Sequence, residues 1–177
     1  QRARIKAMNY GLAYGLSAFG LSQQLKIERS EAAGLMDEYF ERFGHVRDYL
    51  REIVATASRT GFTETILGRR RYLPDLTSSN RQRREMAERA ALNAPIQGSA
   101  ADIIKVAMLD VETAIERRGL RSRMLLQVHD ELIFEVAPGE REEFEELVRD
   151  KMGHAVEMRV PLEVSVGYGH SWHAAAH

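Results

Sequence analysis

The sequence contains no cysteine. Disulfides and thiolate metal sites are therefore excluded, and the fold has to rest on packing and hydrogen bonds. The absence permits a reducing compartment without demanding one. No window approaches the ~18 uninterrupted apolar residues of a membrane span, so a spanning helix is excluded as well. Internal repeats and low-complexity linkers are missing. So are an initiator Met and a signal peptide, and "QRARIKAMNYGLAYG" reads as the interior of a helix. The chain is expected to be a piece of something longer, while "GYGHSWHAAAH" tails off into small residues as a natural C-terminus does.

What is present suits one domain of ordinary size: 177 residues, 44% apolar and 29% charged. The net charge of −1 hides an asymmetry. From Arg69 to Arg89 seven arginines face three acids (Asp75, Glu85, Glu88), a local balance of +4. From Asp130 to Lys151 nine acids face three bases, a balance of −6. The basic run suggests a nucleic-acid partner, and the acidic run reads as a solvated helix face.

The pattern predicts a helix over roughly Arg2 to Phe19. A second follows in "SEAAGLMDEYFERF", with Ser30 as N-cap and Gly44 as stop. "HVRDYLREIVATASRT" is a third, ended by Gly61, and "FTETILGRRRYLPDL" is a short hairpin with a basic second arm. From Asn80 to Arg118 the helical period returns, with a break or kink expected at Pro95 and Gly98. "RMLLQVHDELIFEV" gives two strands around a tight polar turn. "GEREEFEELVRDKMGHAV" is an amphipathic helix with Phe144, Leu147 and Val148 facing in, and "VPLEVSVGYG" is expected to close the sheet as a third strand. The sum is α+β, helices with a small antiparallel sheet.

Arg2, Lys6, Tyr10 and Tyr14 recur every four residues, so one helix side presents two cations and then two rings. Spacing alone fits a surface stripe with two inward tyrosines. That reading is the favoured one on spacing alone; the functional alternative is a nucleotide site, in which cations near a helix start complement phosphate oxygens and a ring farther along stacks on a base or sugar. Gly11 and Gly15 would let another molecule approach the backbone. In the basic arm, Arg69 and Arg71 share one strand face and Arg70 the other, so a phosphate-backbone contact would use the pair. Arg89, Asn93 and Gln97 are again four apart. Amides can read the minor-groove acceptors common to all base pairs, or can satisfy backbone groups freed by Pro95. In "QVHDE", Gln127, His129 and Glu131 are expected to alternate onto one face, with Asp130 opposite or at the bend. Tight turns favour Asp, so the turn alone carries no chemistry.

Together, "R-x-x-x-K-x-x-x-Y-G-x-x-Y-G" from Arg2 to Gly15, the Arg89–Gln97 run and "V-H-D-E" at the hairpin resemble three motifs of family A DNA polymerases, in the family's order. Ala3 stands where many members carry a second arginine. The resemblance implies a right-hand polymerase fragment, with fingers helices at 1–60 and a palm portion at 61–177. It implies template-directed transfer of a deoxynucleotide from a dNTP to a primer 3′-hydroxyl. Arg2 and Lys6 would contact the triphosphate, Tyr10 the sugar and base, and Tyr14 the templating position. Arg69, Arg71, Arg89, Asn93 and Gln97 would contact primer-template DNA, and Gln127 and His129 the primer end. Asp130 would be one of two aspartates holding two Mg²⁺ ions about 4 Å apart, with Glu131 an auxiliary acid.

The family's other metal aspartate lies in a strand before the fingers helix, and no "D-Y-S-x-I-E"-like run occurs here. The fragment is thus expected to be inactive alone. The parent is expected to be a cytoplasmic monomer without membrane association. A non-catalytic, sequence-independent duplex-binding module is the alternative. A metal hydrolase built on His129-Asp130 with His170, His173 and His177 is a third, poorer reading, because those ligands are scattered.

Overall fold

The computed structural model describes residues 2–175. The elements are α1 (Arg2–Ala13), α2 (Ala18–Leu25), α3 (Arg29–Arg42), α4 (Gly44–Thr60), β1 (Phe62–Glu64) and β2 (Arg70–Tyr72). A 3₁₀ turn (Pro74–Thr77) leads into α5 (Arg81–Arg118), followed by β3 (Arg123–Val128), β4 (Glu131–Glu135), α6 (Arg141–Gly153) and α7 (Trp172–Ala175). The chain divides into two compact units, 1–99 and 100–177. Each contains one antiparallel two-stranded sheet, β1–β2 in the first and β3–β4 in the second. The α+β class is as expected.

In the first unit the expected long N-terminal helix is cut at Ala13. Gly15 takes φ +73°, its N–H bonds to Leu12 O at 3.1 Å, and Leu16 N–H reaches Gly11 O at 2.8 Å. These are the two bonds of a Schellman closure. The apolar contact that accompanies such a closure is present as well. A Cβ on Gly11 would lie 2.7 Å from Leu16 Cδ2, and one on Gly15 would lie 2.7 Å from Leu92 Cδ1. The two glycines therefore admit the chain's own leucines, rather than the outside molecule anticipated.

Helix α3 begins one residue before Ser30, which is inside the helix; Glu28 is the N-cap and makes no side-chain capping bond. Gly44 opens α4 instead of stopping α3, whereas Gly61 ends α4 as expected, at φ +83°. Ala57, Leu73, Leu76, Ala87 and Ala91 form this unit's buried cluster.

No break interrupts α5, which runs 38 residues with Pro95 inside it. Proline forfeits one helical hydrogen bond. The burial of Ala91, Leu92 and Ala94 around it opposes that loss.

The second unit is built on α6, whose Phe144, Leu147 and Val148 are buried with Val111, Ala114 and Ile115 of α5. Each fully buried side chain of this size contributes about 1.5–3 kcal/mol. Phe134 of β4 meets Phe144 edge-on, with ring centroids 5.1 Å apart. The expected third strand is absent among the described residues. Leu162, Val164 and Val166 do alternate inward, but the segment forms no strand. It lies along α6 instead, where Arg149 Nη1 donates to Val164 O. Alternation reports one-sided burial; a strand also requires a free sheet edge to pair with.

Candidate functional site

In the first unit, Lys6, Tyr10 and Tyr14 gather as their spacing suggests. The Tyr10 and Tyr14 rings stack, with centroids 6.5 Å apart and planes inclined by 27°. Lys6 Nζ lies 5.8 Å from the Tyr10 centroid. Tyr10 is 55% exposed, so the stripe faces outward rather than into a core. Arg2 is helical, but its side chain lies outside the described residues. Arg89 joins the two tyrosines in lining a groove of about 570 Å³, together with Ser17, Phe19 and Gln24. Two motifs far apart in sequence thus share one surface.

The continuity of α5 keeps Arg89, Asn93 and Gln97 on one helix side. Gln97 is exposed, and Asn93 is half-buried with its Oδ1 shielded and without a hydrogen-bond partner among the described residues.

The three adjacent arginines are not equivalent. Arg69 Nη2 donates to Gly98 O at 3.0 Å. Arg70 Nε donates to Glu64 Oε1 at 2.6 Å, and its guanidinium lies 4.4 Å from the Phe62 centroid. Arg71 is exposed, and its side chain has no charged or hydrogen-bonded partner among the described residues.

In the second unit, His129 and Asp130 form a two-residue turn between the paired residues Val128 and Glu131. His129 holds φ +55°, a conformation in which a residue with a Cβ is strained by about 1 kcal/mol or more. Gln127 pairs across the hairpin with Leu132, and Val128 with Glu131. Gln127 and Glu131 therefore lie on opposite faces, contrary to the expected shared face. Reversal of the chain after Val128 ends the alternation that the expectation extended through His129.

Gln127 Nε2 donates to His129 O at 2.7 Å and ties the turn to β3. Glu131 Oε2 accepts from Trp172 Nε1 at 3.3 Å. Asp130 is exposed and accepts no hydrogen bond or ion pair among the described residues.

Two residues of this unit escaped sequence reasoning. Trp172 is one. The other is Glu140, which accepts from Arg121 N, Ser122 N and Ser122 Oγ at 3.0, 2.9 and 2.7 Å. These donors, with Arg121 first, hold its carboxyl at about 2, well below the ordinary range. Neither residue leaves a local signal, since their partners are 41 and 18 positions away. No group of three or more His, Asp or Glu side chains suited to a metal occurs among the described residues. His170 and His173 therefore build no hydrolase centre there, and His177 lies outside them. Among the described residues, no helix is long and apolar enough to cross a membrane.

A family model described as DNA polymerase family A matches residues 1–174, and the chain belongs to that family. It is 72% identical over 176 residues to DNA polymerase I of Mycobacterium tuberculosis, covering 99% of this chain and 20% of that protein. Identity to Bacillus subtilis DNA polymerase I is 49% over 174 residues, 98% of this chain and again 20% of the relative. The chain thus spans about a fifth of these relatives' length. Among solved structures, the POL domain of Pol1 from M. smegmatis, in complex with DNA primer-template and dNTP, superposes with a TM-score of 0.97 at 70% identity. That match covers 99% of this chain and 31% of the other.

Proposed function

We propose that this chain carries the nucleotide helix and one metal-binding carboxylate of a template-directed DNA polymerase. The reaction joins a primer 3′-hydroxyl to the α-phosphorus of a dNTP and releases pyrophosphate. The observation that carries this reading is the turn at His129-Asp130. A strained backbone, pinned by Gln127, presents a carboxylate that no described residue of its own unit neutralises.

Arg2 and Lys6 would hold the triphosphate as charge-assisted donors. Tyr10 would bear on the sugar and base, and Tyr14 on the templating base. Arg89, Asn93 and Gln97 would follow the minor groove, which suits an enzyme that must accept any correct pair. Arg71, and Arg69 beside it, would contact the phosphate backbone, and Gln127 and His129 the primer end. We read 1–60 as the fingers portion and 61–177 as part of the palm, in a monomeric, cytoplasmic parent.

An open, unpaired carboxylate suits Mg²⁺, which is commonly held by one or two carboxylates with phosphate oxygens and water completing the shell. Asp130 would be the ligand, Glu131 an auxiliary acid, and a further carboxylate would come from the parent outside these residues. Bound as a pair, such ions supply a more acidic attacking hydroxyl and charge neutralisation at the leaving pyrophosphate.

Single-turnover incorporation by the intact parent tests the reading. Asp130→Ala is expected to slow incorporation by about 1000-fold or more. An unchanged rate would leave only the duplex-binding module, which accounts for Arg69, Arg71, Arg89, Asn93 and Gln97 but not for Lys6, Tyr10 or Asp130. The 177-residue chain alone is expected to bind duplex weakly at low salt and to extend no primer.

A further inference from the structure

We propose that Trp172 is a positioning residue for Glu131, and that the segment ending in α7 is a strap that fixes the catalytic turn. This inference rests on the polymerase reading of Asp130.

The strap is anchored before it reaches the turn. Arg149 Nη1 donates to Val164 O, and the Arg141 guanidinium lies 4.1 Å from the Tyr168 ring centroid. Tyr168 Oη donates in turn to Arg141 O at 3.3 Å. The next residue, Gly169, is where α7 seats. A Cβ there would lie 2.6 Å from Ala174 C and 2.7 Å from Ala175 N. Those are backbone atoms, which cannot swing aside as a flexible side chain would. Glycine at 169 therefore permits the close approach that sets α7 in place.

So anchored, α7 delivers one directed group to the hairpin, the Trp172 N–H that donates to Glu131 Oε2 at 3.3 Å. An indole N–H only donates and an ionised carboxylate only accepts, so the pair has one polarity. Burial does not explain the tryptophan's position, because the ring remains 51% exposed. Glu131 is the first residue of β4 and adjoins Asp130 directly. On the other strand, Gln127 Nε2 holds the carbonyl of His129. The turn is thus gripped from both strands. The strap engages one oxygen of Glu131, keeping it from swinging freely beside Asp130 and leaving its second oxygen in a defined orientation.

The test compares Trp172→Phe, Gly169→Ala, Glu131→Ala and the Trp172→Phe/Glu131→Ala double variant in the intact polymerase. Single-turnover incorporation and primer-template Kd are both measured. Trp172→Phe keeps the ring and loses the donor. It is expected to slow incorporation about three- to tenfold with Kd unchanged, and Gly169→Ala to act in the same direction. In the Glu131→Ala background, Trp172→Phe is expected to add nothing. A wild-type rate for Trp172→Phe, or its full effect persisting without Glu131, would overturn the proposal. Asp130→Ala run alongside separates the two failures. If Asp130→Ala is slow and Trp172→Phe normal, only the strap falls; if Asp130→Ala is normal, the polymerase reading falls.

Discussion

The hairpin β1–β2 ties the polar groups of its loop to its own unit. Thr65 N–H bonds to Arg69 O, Ile66 N–H to Ser99 Oγ and Arg69 to Gly98 O, and Arg70 is paired with Glu64. Among the described residues, Arg71 alone of the three arginines has no side-chain partner. The hairpin β3–β4 is braced differently. Its apolar face rests on α6 through Phe134 and Phe144, while its turn keeps a residue in a left-handed conformation and a carboxylate without a partner among the described residues. Apart from the buried Thr63 Oγ1, which has no partner among the described residues, these bonds give the first hairpin the character of a scaffold, with Arg71 as its one unpaired guanidinium there. Strain and an open charge, over a packed face, are the features of the second on which the proposed chemistry rests.

The contrast in bracing has measurable consequences, read by hydrogen exchange at each hairpin in the intact polymerase. Phe144→Ala strikes the apolar brace, and the β3–β4 amides should lose about 3–5 kcal/mol of protection while β1–β2 is unmoved. Protection retained at β3–β4 would mean that the core does not hold the turn.

Glu140→Gln strikes the neighbouring latch. The wild-type carboxyl sits at about 2 instead of 4.5, so its contribution is complete above 4.5 and is lost as pH falls toward 2. The variant's hairpin should therefore exchange faster than wild type at neutral pH, with the difference vanishing near the acid end of that range. A difference independent of pH would contradict the latch. Ser99→Ala should have the smallest effect, about 1 kcal/mol at β1–β2 alone, because it removes one exposed hydrogen-bond partner.

Much of the second unit was legible because its signals are periodic. The spacing of Phe144, Leu147 and Val148 names the buried face of α6, and the apolar runs on either side of His129-Asp130 name the hairpin. The first unit misled where a single residue decides the backbone. Gly15 reads as a tolerated helix residue until Leu16 and Leu92 are found occupying the space that its side chain and that of Gly11 would need. Pro95 misled in the opposite direction, since burial of its neighbours keeps α5 whole. Residues 161–169 carry a strand's alternation but pack on a helix, a choice made by what lies beside them rather than by their own pattern. At the candidate site, the motif spacing anticipated that Lys6, Tyr10 and Tyr14 lie together and that Asp130 sits at the turn. Trp172 and Glu140 act on partners 41 and 18 positions away and have no period to betray them.

The most direct test of the central claim is the split between rate and affinity for the two hairpins, measured by single-turnover dNTP incorporation and primer-template binding in the same intact polymerase. Asp130→Ala should lose about 1000-fold or more in rate with affinity within about twofold. Arg71→Ala should keep its rate, bind DNA more weakly, and lower the salt slope of binding by about 0.9. Asp130→Ala that extends primers normally, or Arg71→Ala that loses rate at saturating DNA, would contradict the division between a chemical turn and a binding hairpin.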